Sequence, residues 1–135
     1  NGLGSRRWRS QSNGQAKGGR FMHELGIAFY IIDMVEDLGR QNDLISVARV
    51  KLRLGEVSGV IPSYLQDVWR WAADRTELMR AAELEIESIP AVTRCLDCNR
   101  TYATVEYGRT CPYCAGEKTE LIQGQELELD EIEAT

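Results

Sequence analysis

Histidine occurs once in these 135 residues, at position 23. A lone imidazole with no obvious nucleophile or orienting carboxylate as partner offers nothing of a hydrolytic triad. No apolar run approaches the roughly 20 residues that span a bilayer. The N-terminus also lacks the apolar segment of a secretory signal, which disfavours a disulfide framework. A phosphate loop of the form G-x-x-x-x-G-K-[ST] is missing too. "AGEKTE" (Ala115–Glu120) matches only its end, and no apolar strand precedes it. Carboxylates are plentiful, but they lie on alternating strand faces and helix surfaces where solvation accounts for them. The sequence asks for no active site, and the expectation is a protein that is not an enzyme.

Acids are absent from the first 21 residues, which carry Arg6, Arg7, Arg9, Lys17 and Arg20. The chain as a whole is −5 and this segment +5, so the body from Met22 onward is −10. A body that acidic repels phosphates and suits a cation or a protein partner. The opening "NGLGSRRWRSQSNGQAKGGR" has neither a helical nor a strand period. Residues 1–21 are therefore expected to be disordered, or a leader appended for expression, with Met22 as the natural start.

What is present reads as alternating elements. Ala28, Ile31, Val35 and Leu38 recur at helical spacing, with Asp33, Glu36 and Asp37 on the wetter side and Gly39 as a stop. In "SVARVKLRLGE", Ala48, Val50, Leu52 and Leu54 alternate with Arg49, Lys51 and Arg53. Pro62 suits the first position of a second helix running to about Thr76, with Leu65, Val68, Trp69 and Ala72 inward. "AELEIESI" and "QELELDEI" alternate again, with acids outward. One basic and two acidic strands predict a three-stranded sheet with the basic strand in the middle, where opposite charges pair across strands. Two helices on its apolar face give an α+β domain.

All four cysteines lie between the acidic strands, in "CLDCNRTYATVEYGRTCPYC". The spacing of Cys95, Cys98, Cys111 and Cys114 is C-x2-C-x12-C-x2-C, two turns that together supply a tetrahedral four-thiolate shell. Zinc is the expected ion, with a rubredoxin-type iron site the alternative that shares this framework. Tyr102, Val105 and Tyr107 in a hairpin-length link are available to cover it, and Gly116 offers a turn beyond the second pair. Four thiolates leave no open position for a substrate water, so the metal is structural in this reading. It supplies folding free energy to an inserted ribbon too small to fold by burial alone. The resulting organisation is an α+β domain over 22–90 and 119–135 and a zinc-ribbon domain over 91–118.

The start "MHELGIA", the amphipathic helix, the strand ending "LRLGEVS", the second helix and the cysteine ribbon between strands together resemble the HypA/HybF family. The resemblance covers Met22 to Thr135. It implies a cytoplasmic nickel metallochaperone of hydrogenase maturation, with Zn(II) in the ribbon and Ni(II) as cargo at Met22 and His23. Glu24 is implied as a further ligand or a tuning residue, although an acid in a first helical turn is also favoured by the macrodipole. A nickel-delivering GTPase and the hydrogenase large subunit are the implied partners, urease maturation proteins are partners of some members, and neither nucleic acid nor membrane is. Phe21 precedes Met22 here, so the Met22 nitrogen is a peptide amide, and "GVIPSY" (Gly59–Tyr64) has no extra carboxylate for the site. The alternative is a zinc-ribbon module binding nucleic acid or a transcription complex, resting on Arg94, Arg100, Arg109 and Lys118.

Overall fold

Strand β2 (Val47–Gly55) lies at the centre of the main sheet, as its basic face requires. The computed structural model describes residues 5–9 and 24–135. The acidic strand β3 (Glu83–Ile89) pairs with β2 in parallel, and β7 (Leu127–Ala134) pairs with it antiparallel on the other side. Across these ladders Arg53 meets Glu128 at 3.2 Å, and Lys51 lies 3.5 Å from Glu87 and 3.7 Å from Asp130. The strand order predicted from charge is the observed one. The parallel pairing needs a crossover, which helix α2 (Pro62–Ala73) supplies.

Helix α1 (Glu24–Asn42) and α2 pack on the apolar face. Ile27, Ile31, Val35, Leu65 and Trp69 there meet Val50, Leu52 and Ile132 of the sheet. Gly39 does not stop α1. It is buried within the helix, and a Cβ there would lie 2.7 Å from Leu78 Cδ2. The stop comes at Asp43, whose φ is 53°. The Leu44 amide then donates to the Gly39 carbonyl at 2.9 Å, which ties up an otherwise unpaired carbonyl of the last turn. Helix α2 ends at Ala73, short of Thr76. The Arg70 guanidinium fastens the following turns by donating to the carbonyls of Met79, Arg80 and Ala82.

The sheet has a fourth strand that the sequence did not announce. β1 (Arg6–Arg9) pairs antiparallel with the outer edge of β7, so these four residues of the expected leader are ordered. Their sequence, RRWR, has one apolar side chain and gives too short an alternation to stand out. The order holds because Trp8 packs against the core and Arg9 lies 3.4 Å from Glu131.

The ribbon is a second, three-stranded sheet inserted between β3 and β7. Strand β4 (Val92–Cys95) lies between β5 (Thr101–Ala103) and β6 (Thr119–Gln123). Residues 119–123 thus pair inside the ribbon and not with the α+β domain, because β6 completes the ladder on β4. The link between the cysteine pairs is not a hairpin. β5 runs directly into one helical turn, α3 (Thr104–Tyr107). Where the two sheets meet, Glu56 accepts the Ala91 amide at 2.9 Å, and the Val57 amide donates to the Gly124 carbonyl at 2.8 Å. Gly124 has φ 123°, and a Cβ there would lie 2.6 Å from the Ala91 backbone, so only glycine fits.

Candidate metal centre

Both cysteine pairs sit in the same backbone loop, twice over. The Cys95 amide donates to the Arg100 carbonyl at 2.8 Å, and the Asn99 amide to the Cys95 carbonyl at 2.8 Å. In the second loop the Cys111 amide donates to the Gly116 carbonyl at 2.9 Å, and the Ala115 amide to the Cys111 carbonyl at 2.8 Å. Each loop reverses through a left-handed residue, Asn99 at φ 63° and Ala115 at φ 62°. Asparagine tolerates that conformation, whereas alanine is strained in it. Gly116 also leaves room for the Asp97 carboxylate beside the second loop. A Cβ on it would fall 2.6 Å from Asp97 Oδ2 and 3.2 Å from Cys114 Sγ.

These loops bring four sulfur atoms within 4.8 Å of one another. Cys95 and Cys114 are 3.5 Å apart, and Cys98 and Cys111 3.7 Å. A disulfide would require about 2.05 Å. A tetrahedron of zinc–sulfur bonds of about 2.3 Å has edges of about 3.8 Å, so the donor set fits one Zn(II). Cys95 and Cys111 are buried, with Tyr102 packed beside them. Tyr107 leans edge-on against Tyr102 at 6.1 Å, while Val105 is 64% exposed and covers nothing.

The thiols are electrostatically unequal. The Arg100 amide pulls the Cys98 thiol down, but desolvation and the Cys111 and Cys95 sulfurs outweigh it and leave it raised. Desolvation pushes Cys111 up, yet the Tyr113 and Cys114 amides and the Cys98 sulfur bring it down to about 7. The Gly116 amide pulls Cys114 down, but the Cys95 sulfur and desolvation push it up to about 12. Four thiols this close resist joint ionisation until a cation compensates the charge.

Of the nickel residues expected from the sequence, only Glu24 is described. Met22 and His23 lie outside the described residues. Glu24 is in the first turn of α1, and its Oε2 accepts the Ile61 amide at 3.2 Å, at the entry to α2. The carboxylate thus ties the two helix starts together. With Leu25, Tyr64, Asp67 and Val68 it lines an open depression of about 310 Å³. Asp67, a second acid lining this depression, lies in α2 beyond the loop Gly59–Tyr64, and no local motif marks it.

Two of the four basic residues of the ribbon are engaged within it. Arg94 is engaged by Glu120 at 2.7 Å, and Arg100 lies over the Tyr113 ring at 5.0 Å. No helix among the described residues is long and apolar enough to cross a membrane.

Comparison with known proteins agrees over the body of the chain. The family described as "HypA: Hydrogenase/urease nickel incorporation, metallochaperone, hypA" matches residues 22–134. A hydrogenase maturation factor HypA of Streptomyces avermitilis is 34% identical over 110 residues, 80% of this chain and 83% of its own. One of Chlorobaculum parvum is 36% identical over 111 residues, 82% and 97% of the two chains. The solution structure of the Ni metallochaperone HypA from Helicobacter pylori superposes with a TM-score of 0.63 at 22% identity, covering 84% of this chain and 97% of that one.

Proposed function

This chain belongs to the HypA family of nickel metallochaperones for hydrogenase maturation, and we propose that it takes up Ni(II) at Met22 and His23 with Glu24 beside them. The observation that carries this reading is the setting of Glu24. It follows His23 directly, one carboxylate oxygen is fixed on the Ile61 amide, and Asp67 lines the same depression. Two carboxylates beside the start of α1 make that end of the domain attractive to a cation. Nickel(II) accepts square-planar nitrogen donors, which an imidazole and neighbouring backbone nitrogens supply from one short stretch. Deprotonation of those groups couples uptake to pH, with weaker binding in acid.

The four-cysteine ribbon has a separate task. Its donor set is complete with four thiolates, which suits structural zinc and leaves no coordination position there for nickel. Delivery from a small site at a chain segment, without chemistry on the cargo, is the work of a carrier and not an enzyme. A nickel-delivering GTPase and the hydrogenase large subunit are the partners this role calls for, in the cytoplasm where maturation would take place. The domain organisation proposed with it is an α+β nickel-binding domain and a zinc ribbon running from about Ala91 to Gln123.

Calorimetric titration of Ni(II) into zinc-loaded protein tests the site. Three samples are compared: the full chain, the chain begun at Met22, and the latter with His23→Ala. One tight site that appears with the free Met22 amine and disappears with His23→Ala is expected. Equal weak binding in all three overturns it.

A further inference from the structure

The outer edge of β7 is filled by a short piece of the chain itself, and the chemistry of that piece is specific. Arg6, Arg7, Trp8 and Arg9 stand opposite Ala134, Glu133, Ile132 and Glu131 in antiparallel register. On the core side, Trp8 faces buried Ile132 and packs against the main core, with the Arg6 guanidinium 4.9 Å over its ring. On the outer side, Arg7 and Arg9 oppose Glu133 and Glu131, Arg9 lies 3.4 Å from Glu131, and Ser5 Oγ donates to Glu133 at 3.2 Å. This four-residue contact uses an aromatic anchor, opposite charges and a backbone ladder together.

β7 spans eight residues, and Arg6–Arg9 pair with the last four of them, Glu131–Ala134. The outer face of the sheet is also acidic without β1. Glu83, Glu85, Glu87, Glu128, Asp130, Glu131 and Glu133 face only Arg49, Lys51 and Arg53. An incoming basic strand therefore meets attraction along the whole edge. β1 is held there as a tethered segment, with fourteen residues between Arg9 and Glu24. A tether of that length gives an effective concentration on the order of millimolar, which a weak four-residue strand needs.

We infer that the β7 edge is a strand-acceptor site for an extended segment of a protein partner, basic on one face and carrying an aromatic anchor on the other, and that Arg6–Arg9 is its displaceable internal occupant. The inference stands on β7 and β1 alone and is independent of where nickel binds. A partner strand replaces β1 by pairing with the same Glu131–Ala134 edge.

The test is NMR of the zinc-loaded full chain with a synthetic peptide of residues 5–10 as probe. Trp8→Ala removes the anchor of the internal strand. Arg9→Glu, an exposed change that sets two acids opposite one another, opens the edge independently and leaves Trp8 in place. Peptide at millimolar concentration is expected to shift the Glu131–Ala134 amides in both variants, with about tenfold weaker apparent binding to the parent chain, whose edge is filled. Adding Glu131→Lys and Glu133→Lys to the Trp8→Ala variant is expected to weaken the peptide about tenfold. No amide shifts in either opened variant would overturn the acceptor edge. Undiminished binding after the lysine changes would overturn its preference for basic strands. Dimerisation of the parent chain through the same β7 amides would give the edge to a second copy and overturn the partner.

Discussion

The two sheets of this molecule are held by different physics. The α+β domain closes around a cluster of twenty-one buried side chains contributed by both helices and all three long strands. The ribbon's buried cluster is Cys95, Tyr102 and Cys111, and two of those three are metal ligands. Apolar burial at about 25 cal/mol per Å² gives the first region its cohesion. The second has almost no such area, and its coherence comes from pinning two identical loops to one ion. The comparison teaches that a damaged side chain has a local effect in one region and an all-or-none effect in the other.

The sharpest way to break the comparison is Cys95→Ser. Zinc affinity should fall by more than the roughly 10–100-fold typical of changes behind the ligands, and the ribbon's amides should lose exchange protection. The α+β domain should keep its helical circular dichroism. Zinc competition with a chromophoric chelator and hydrogen exchange read the two regions separately. The converse variant is Leu52→Ala, at a fully buried position on the central strand. It should cost about 2–5 kcal/mol in urea unfolding followed by tryptophan fluorescence, and leave zinc affinity within about twofold.

Acid discriminates the regions next. Cys98 and Cys114 are raised and hold their protons at neutral pH, while Cys111, at about 7, is half ionised. Zinc must displace these protons, so affinity rises with pH and falls as pH drops. Between pH 7 and 6 it should fall about a hundredfold or more, since at least two protons are released. Competition titrations across that range give the slope, and a flat profile would mean the thiols are already ionised. The smallest effect is Ala115→Gly. It relieves a left-handed alanine in the second loop and should stabilise the ribbon by about 1 kcal/mol, seen as a slower release of zinc to a chelator.

Charge alternation made the main sheet legible in the sequence, because Arg49, Lys51 and Arg53 can only be neutralised by acidic strands on both sides. Cysteine spacing made the ribbon legible, because a four-thiolate shell has few possible backbones. Other features depend on contacts between residues far apart in the chain. Gly39 looks like a stop until Leu78 is seen to need its missing side chain. Thr119–Gln123 carries no mark of the strand it joins, and the left-handed Ala115 follows from the hydrogen bonds of its loop and not from its residue type. Asp67 lines the same depression as Glu24 only through the packing of α2 beside α1. The assignment of Met22 and His23 rests on the motif alone, since both lie outside the described residues.

The insertion of the ribbon between β3 and β7 has a consequence in polymer terms. With zinc bound, the chain leaves the main sheet at Ile89 and returns at Leu127 through a folded spacer. Unfolding of the ribbon on loss of zinc would turn the same stretch into a slack loop of 37 residues, whose closure costs about 3 kcal/mol in chain entropy. The ion would in that sense be a remote cross-link on a domain none of its ligands belongs to.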